Sequence, residues 1–80
     1  MNKFELIKET ILKALPEAVV NVGGDGHHFE ATVVAQEFEG KTLLEQHRLV
    51  FNSLQEALKE TVHALALKTY TPEQWKKKNK

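Results

Sequence analysis

The residues best suited to metal binding or proton transfer in this chain are four histidines, His27, His28, His47 and His63. Imidazole binds metals and titrates near neutral pH. Their spacing matches no metal motif such as HExxH, and the sequence places no serine or carboxylate beside them to suggest a catalytic triad. The chain has no cysteine, which excludes a thiol nucleophile, a disulfide framework and any zinc or iron–sulfur site built on its own sulfur. A site with sulfur ligands would therefore need thiols from another molecule.

The sequence around the histidines predicts different settings for them. His27 and His28 follow the turn Gly23-Gly24-Asp25-Gly26 and lead into a strand, where neighbouring residues point to opposite faces. At most one of the two is therefore expected to face a given partner. His63 is predicted to begin a later strand, and in a βαβ layout ligand sites lie near the ends of strands. The alternative interpretation is that His63 lies at the edge of the strand and forms a hydrogen bond to the backbone. His47 falls in the apolar stripe of a helix.

Basic side chains are the second group that could do chemistry, through contacts with phosphate. Residues 1–67 carry six Lys or Arg against ten Asp or Glu, whereas residues 68–80 carry five Lys against one Glu. Phosphate binding needs clustered cations, so residues 1–67 are predicted to bind nucleic acid poorly unless their cations form a local patch. Arg48 lies three residues from Glu45, which makes an intrahelical ion pair the alternative to a phosphate contact. Residues 76–80 are otherwise expected to be a solvated, fraying basic tail.

The glycine-rich turn allows a second interpretation. Gly23 and Gly26 match the GxxG that clamps nucleotides in KH domains, but that loop joins two helices. Here β-branched stretches flank the turn at residues 18–22 and 28–35. We therefore interpret it as the turn of a β-hairpin.

Short helices and strands must position these side chains. Asn2 with Glu5 predicts a capping box for a first helix over residues 3–14. After the hairpin, the Thr-Leu-Leu-Glu sequence of residues 42–45 predicts a second capping box and a long helix reaching about residue 60. The apolar stripe of this helix is predicted to comprise Leu43, Leu44, His47, Val50, Phe51, Leu54 and Leu58.

The last part of the chain is predicted to add a strand and a helix. Residues 62–69 contain no Gly or Pro and are interpreted as a third strand, with helix as the alternative. Thr71-Pro72-Glu73-Gln74 is a helix start. A helix between strands two and three resembles a βαβ crossover, which makes those strands parallel. We expect an α+β fold of order αββαβα, with helices packed mostly over one face of a three-stranded mixed sheet.

Length and composition narrow the functional classes. Residues 1–80 are expected to form a single domain, because 9.1 kDa cannot supply a second core. No apolar run reaches the length of a transmembrane helix, and the N-terminus lacks the pattern of a signal peptide, so a cytoplasmic protein is expected. A chain this small, with no nucleophile–base arrangement or phosphate loop, is predicted not to be an enzyme.

From Gly26 onward the chain resembles the BolA family, including its IbaG-like bacterial branch. The segments that carry the resemblance are His28-Phe29, Phe38-Glu39-Gly40-Lys41, Gln46-His47-Arg48-Leu49-Val50-Phe51, Val62-His63-Ala64-Leu65-Ala66-Leu67-Lys68-Thr69 and Thr71-Pro72-Glu73-Gln74-Trp75. They stand in the family's order and spacing. Two features depart from the family: its Arg-His-Arg is here Gln46-His47-Arg48, and its loop between strands 1 and 2, often longer and bearing a His or Cys, is here Gly-Gly-Asp-Gly.

The resemblance implies a fold related to class II KH domains and a partnership with monothiol glutaredoxins. In such heterodimers a [2Fe–2S] cluster is held by the glutaredoxin cysteine, a glutathione thiol, the family's C-terminal histidine and a His or Cys from the strand 1–2 loop. The C-terminal histidine corresponds to His63, and the nearest imidazoles to the second ligand are those of His27 and His28. Without metal, the chain is expected to be a monomer or a weak homodimer.

The resemblance also implies an alternative function, that of a transcriptional regulator binding DNA through the KH-like surface. The candidate contacts are Lys41, Arg48, Lys68, Lys76 and Lys77, together with Lys78 and Lys80. Gln46 removes one cation from the family's motif, and the formal net charge of the chain is zero. Glutaredoxin and DNA are also expected to be able to compete for overlapping faces.

Overall fold

The computed structural model describes residues 2–55, 58–59 and 64–78 and has the predicted αββαβα order. Its elements are α1 (Lys3–Ala14), β1 (Val19–Gly24), β2 (Phe29–Val34), α2 (Leu43–Leu54), β3 (Leu65–Tyr70) and α3 (Pro72–Lys78), with a 3₁₀ turn at Gln36–Phe38. The sheet has the order β1-β2-β3, with β1 antiparallel and β3 parallel to β2. The predicted hairpin, parallel crossover and α+β class are confirmed.

Side-chain caps define where the helices begin. Thr42 Oγ1 accepts the N–H of Glu45 at 3.2 Å, and the Glu45 carboxylate accepts the N–H of Thr42 at 2.8 Å, which completes the predicted capping box of α2. The same reciprocal pair, between residues 71 and 74, begins α3. At α1 only half of the box forms. Asn2 Oδ1 accepts the N–H of Glu5 at 2.9 Å, but the Glu5 carboxylate contacts the side-chain amide of Asn2, at 3.5 Å.

The core lies between one face of the sheet and the two longer helices. Alternate residues of β2 point into it, and α1 and α2 contribute residues one turn apart. Its fully buried side chains include Phe38, Ile7, Ile11, Leu54, Val33 and Val50. The shorter helix α3 packs against the end of β3, where the Trp75 and Tyr70 rings lie 5.3 Å apart between centroids. This arrangement leaves the hairpin turn and the outer edges of β1 and β3 accessible.

The hairpin and α2 have boundaries that differ from the predicted ones. β1 extends to Gly24 and β2 begins at Phe29, so the turn occupies residues 25–28, two positions later than the glycine pattern indicated. α2 ends at Leu54, earlier than the predicted residue 60; residues 56, 57 and 60 lie outside the described residues. Leu58 is buried as predicted, and its N–H donates to the Leu54 carbonyl at 2.8 Å.

The core-facing side of α2 also differs from the predicted stripe. Leu43 and Leu44 are 62% and 60% exposed, and His47 is only partly buried, whereas Gln46 is 6% exposed. The first turn of α2 therefore projects past the surface that the sheet covers. Hydrophobic periodicity could not show this, because it gives the direction of a side chain and not what lies opposite it.

The C-terminal elements also differ in extent from the prediction. β3 begins at Leu65, with Ala64 just before it, and positions 62–63 of the predicted strand lie outside the described residues. Lys76, Lys77 and Lys78 belong to α3 and are helical rather than frayed, while residues 79–80 lie outside the described residues. In the described part of the chain no helix is long and apolar enough to cross a membrane.

Candidate functional site

The loop between β1 and β2 displays two of the candidate histidines at one end of the sheet. His27 and His28 are both exposed, and a single carboxylate oxygen organises the loop beneath them. Asp25 Oδ1 accepts the N–H of His28 at 2.7 Å and that of His27 at 2.9 Å. These two backbone N–H groups, that of His28 first, hold the pKa of Asp25 below its ordinary value. The loop is thus a compact turn built around an ionised carboxylate.

Gly24 makes this turn possible. It has φ of +138°, and a Cβ at this position would overlap the carbonyl oxygen of His28 and lie 3.0 Å from the Cα of Phe29. Only glycine permits both the conformation and the close approach. The sequence pattern predicts that His28 begins β2, but the turn begins after Gly24 and His28 belongs to the loop. His27 and His28 are therefore not held on opposite faces of a strand, and that prediction is wrong.

The ring of His28 has a carboxylate neighbour that distinguishes it from His27. His28 Nδ1 lies 3.7 Å from Asp25 Oδ2, and the side chain is 82% exposed. The contact is an ion pair only when the imidazole is protonated. A carboxylate beside one ring nitrogen is also the arrangement that orients a histidine whose other nitrogen binds a metal. His28 is thus the loop histidine that has a carboxylate next to one of its ring nitrogens.

His63, the other candidate ligand, lies outside the described residues. The strand that follows it, β3, has a defined register with β2. Phe29 pairs with Leu65 in the parallel β2–β3 ladder, so the chain enters both strands at the same end of the sheet. His28 directly precedes Phe29, and His63 precedes Leu65 by two positions in the sequence. Among the described residues, no group of three or more His, Cys, Asp or Glu side chains could hold a metal.

The candidate basic residues lie towards the other end of the molecule. Lys68 is exposed near the end of β3, and Lys41 is exposed just before the cap of α2. Arg48 is exposed on α2, and among the described residues it forms no ion pair with Glu45, whose carboxylate instead bonds the backbone of Thr42. No close ion pair with Glu45 therefore forms among the described residues; the backbone N–H of Thr42 is the main cause that lowers the pKa of Glu45, and the positive charge of Arg48 adds a minor part.

The lysines of α3 lie on the helix that follows β3. Lys76 is exposed, and Lys77 Nζ is 3.8 Å from the carboxylate of Glu73. Lys78 Nζ lies 5.4 Å from the centroid of the Tyr70 ring. Because α2 connects two parallel strands, its first turn and the start of α3 share the end of the sheet opposite the hairpin loop. The structure therefore separates the candidate cations from the hairpin histidines.

Gln46 is a residue whose role the sequence patterns missed. Its Nε2 donates to the carbonyl oxygens of Lys41, at 3.0 Å, and Phe38, at 3.2 Å, and its Oε1 accepts from Thr69 Oγ1 at 2.7 Å. This buried amide ties α2 to β3 and to the segment before α2. The signal available in the sequence was the departure of Gln46 from the family's arginine. A polar residue buried this way satisfies its own hydrogen-bonding groups and is not a DNA contact.

His47 borders a shallow pocket of about 250 Å³ between α2 and β3. The other lining residues are Leu43, Leu67, Lys68, Thr69 and Tyr70. His47 Nε2 is buried without a hydrogen-bond partner, and its ring meets that of Phe51 edge-on at 6.4 Å. His47 thus packs against Phe51 on α2. It lies near the start of α2, at the end of the sheet opposite the hairpin loop.

Comparison with known proteins identifies the family. A family model described as BolA-like protein matches residues 1–74. Protein BOLA2 of Arabidopsis thaliana is 49% identical over 67 residues, which cover 81% of this chain and 71% of the relative. The DNA-binding transcriptional regulator BolA of Escherichia coli is 44% identical over 52 residues, covering 65% of this chain and 50% of the relative. The solved structure of a bolA protein homologue from Coxiella burnetii is 47% identical with a TM-score of 0.81, covering 95% of this chain and 99% of that one. The chain therefore belongs to the BolA-like protein family.

Proposed function

We propose that this chain is a non-enzymatic, cytoplasmic partner of a monothiol glutaredoxin and shares a [2Fe–2S] cluster with it. His63 and one histidine of the hairpin loop are the proposed ligands from this chain. The observation that supports this most is the parallel pairing of Phe29 with Leu65, because it brings the loop and the chain entering β3 to one end of the sheet. We propose that His63 and the loop histidine, although distant in the sequence, face one partner surface at this end of the sheet.

The composition suits a shared site and not one held by this chain alone. The chain has no cysteine, so thiolates must come from glutaredoxin and from glutathione. Imidazoles replace two thiolates in mixed His/Cys clusters, and such replacement raises the reduction potential of the cluster. Without the cluster and the partner, we expect a monomer or a weak homodimer.

Between the two loop histidines, we propose His28 as the ligand. Asp25 Oδ2 lies on the Nδ1 side of the His28 ring, which leaves Nε2 for a metal. The turn is short, and Asp25 also accepts both backbone N–H groups, so the backbone that carries the ring is restricted before any partner binds. Restricting a ligand in advance reduces the ordering needed on binding.

The test is to mix the chain with a monothiol glutaredoxin that carries its cluster and to record visible circular dichroism. Binding through this chain's imidazoles should change the spectrum, and His63→Ala and His28→Ala should each abolish the change. His27→Ala is the matched control, because His27 is adjacent and also exposed, and it should leave the change intact. A His63→Ala protein that alters the spectrum as the unsubstituted protein does would remove His63 from the coordination. If instead His27→Ala abolishes the change and His28→Ala does not, the choice of His28 is wrong.

A second candidate function is DNA binding. It is favoured by exposed Lys41, Arg48 and Lys68 around the start of α2 and the end of β3, and by the name of the Escherichia coli relative. Binding through several cations requires a steep fall of log affinity with log salt concentration. We expect Lys68→Ala to reduce that slope by about one and His63→Ala to leave it unchanged. Weak binding that hardly depends on salt would contradict this function.

A further inference from the structure

A groove at the end of the sheet opposite the histidine loop has no role in the functions proposed above. Its volume is about 550 Å³, and it lies where β1 begins, β2 ends and α3 starts. The apolar part of its wall consists chiefly of Val19, Val34, Pro72 and Trp75. Val19 is 52% exposed, which makes it one of the exposed large apolar residues of the described chain. We call this feature the acidic groove, because two glutamates also line it.

The rest of the lining comprises Ala35, Gln36 and two carboxylate residues, Glu17 and Glu37, and no basic residue lines the groove. Both glutamates are exposed, and in the described ranges neither forms an ion pair. The nearby lysines of α3 with defined contacts are engaged elsewhere: Lys77 with Glu73 at 3.8 Å, and Lys78 over the ring of Tyr70. The lining therefore combines apolar walls with two carboxylates and no cation.

We propose that the acidic groove binds an arginine side chain carried on an exposed apolar segment of a partner protein. The methylene stem of arginine packs against apolar surface while its guanidinium group remains polar. The guanidinium group also stacks on aromatic rings such as that of Trp75 and makes paired hydrogen bonds to carboxylates such as Glu17 and Glu37. Lysine, a compact and strongly hydrated cation, fits such a site less well.

The groove and the histidine loop can be occupied together. Val19 pairs with Val34 at the groove end of the hairpin, and Gly24 pairs with Phe29 at the loop end. These pairs are separated by five residue steps, or roughly 17 Å at about 3.3 Å per residue in a strand. A peptide segment held in the groove therefore does not reach the histidines, and this proposal does not depend on the proposed function.

The test uses a capped peptide, Gly-Val-Arg-Val-Gly, and a matched peptide with citrulline in place of arginine, which keeps the shape and removes the charge. Trp75 is the chain's only tryptophan, so its fluorescence reports binding directly, and backbone amide NMR shifts of Val19 and Val34 locate the site. We expect the arginine peptide to bind roughly fivefold to tenfold more tightly than the citrulline peptide. The double variant Glu17→Gln, Glu37→Gln should lose that preference, and Glu9→Gln, an exposed carboxylate on α1, should retain it.

Several results would overturn the proposal. These are equal binding of the two peptides, an arginine preference that survives the double substitution, or no response of Trp75 and the two valine amides at millimolar peptide. The proposal would also be overturned if the chain self-associates as its concentration rises and if the double variant abolishes this association while Glu9→Gln does not. The occupant of the groove would then be the lysine-rich end of a second copy. Sedimentation of the free chain over a range of concentrations separates that case.

Discussion

Gly24 provides the sharpest test of how the histidine loop is built. In Gly24→Ala the new Cβ overlaps the carbonyl oxygen of His28, and the backbone has φ of +138°. A backbone held in a region that essentially only glycine populates costs an L-residue about 1–3 kcal/mol, and inserting a methyl group into occupied space costs about 1–3 kcal/mol. We therefore expect Gly24→Ala to lower the free energy of unfolding by about 2–6 kcal/mol in total. In a domain of this size the midpoint of thermal unfolding should then fall by about 10 °C or more.

The adjacent Gly23 is a matched control for this substitution. A Cβ at Gly23 meets no atom within 4 Å, and Gly23 is not among the glycines with positive φ. Gly23→Ala should therefore be neutral or stabilising by about 0.4–1 kcal/mol, because it restricts the unfolded chain. Urea unfolding followed by the fluorescence of Trp75, which lies far from the loop, measures both variants. Equal stabilities would refute the argument that the close approach at Gly24 shapes the loop.

Two further predictions concern the second helix. Gln46→Ala leaves the Thr69 hydroxyl and two carbonyl oxygens without their partner, and should destabilise by about 2–4 kcal/mol in urea unfolding. Thr69→Val should cost less, and the double variant should cost less than the sum of the two; strict additivity would argue against a shared network. The Thr42 backbone N–H holds the pKa of Glu45 below its ordinary value of 4.5, so Glu45 stabilises the fold fully above that value, and the contribution is lost as pH falls through the lower folded pKa. Glu45→Gln preserves the capping box and should remove this part of the acid dependence, measured as unfolding free energy between about pH 6 and pH 3; an unchanged dependence would contradict the assignment.

The features of the fold that could be predicted depend on residues close together in the sequence or on the order of helices and strands. Thr42 and Glu45 form their box because the hydrogen bonds span only three residues, and a contact of that range is written in the sequence itself. The parallel crossover followed from a helix lying between two strands. The predicted position of the hairpin turn was wrong, because the pattern of glycines does not reveal that Gly24 is the one that approaches the His28 carbonyl oxygen. The predicted end of α2 was too late, since apolar residues continue at helical spacing beyond Leu54, where the helix ends.

By itself, the sequence determined the family and the order of the elements. It also determined that any sulfur ligand must come from another molecule, since a chain without cysteine cannot provide a thiolate. Only the tertiary structure decided which side chains come together. It buried Gln46 and left Leu43 exposed, because burial depends on what lies opposite a helix and not on its periodicity. It also set the loop that carries His27 and His28 at one end of the sheet and the acidic groove at the other. These are contacts between surfaces that strand register and helix packing create, and no local pattern encodes them.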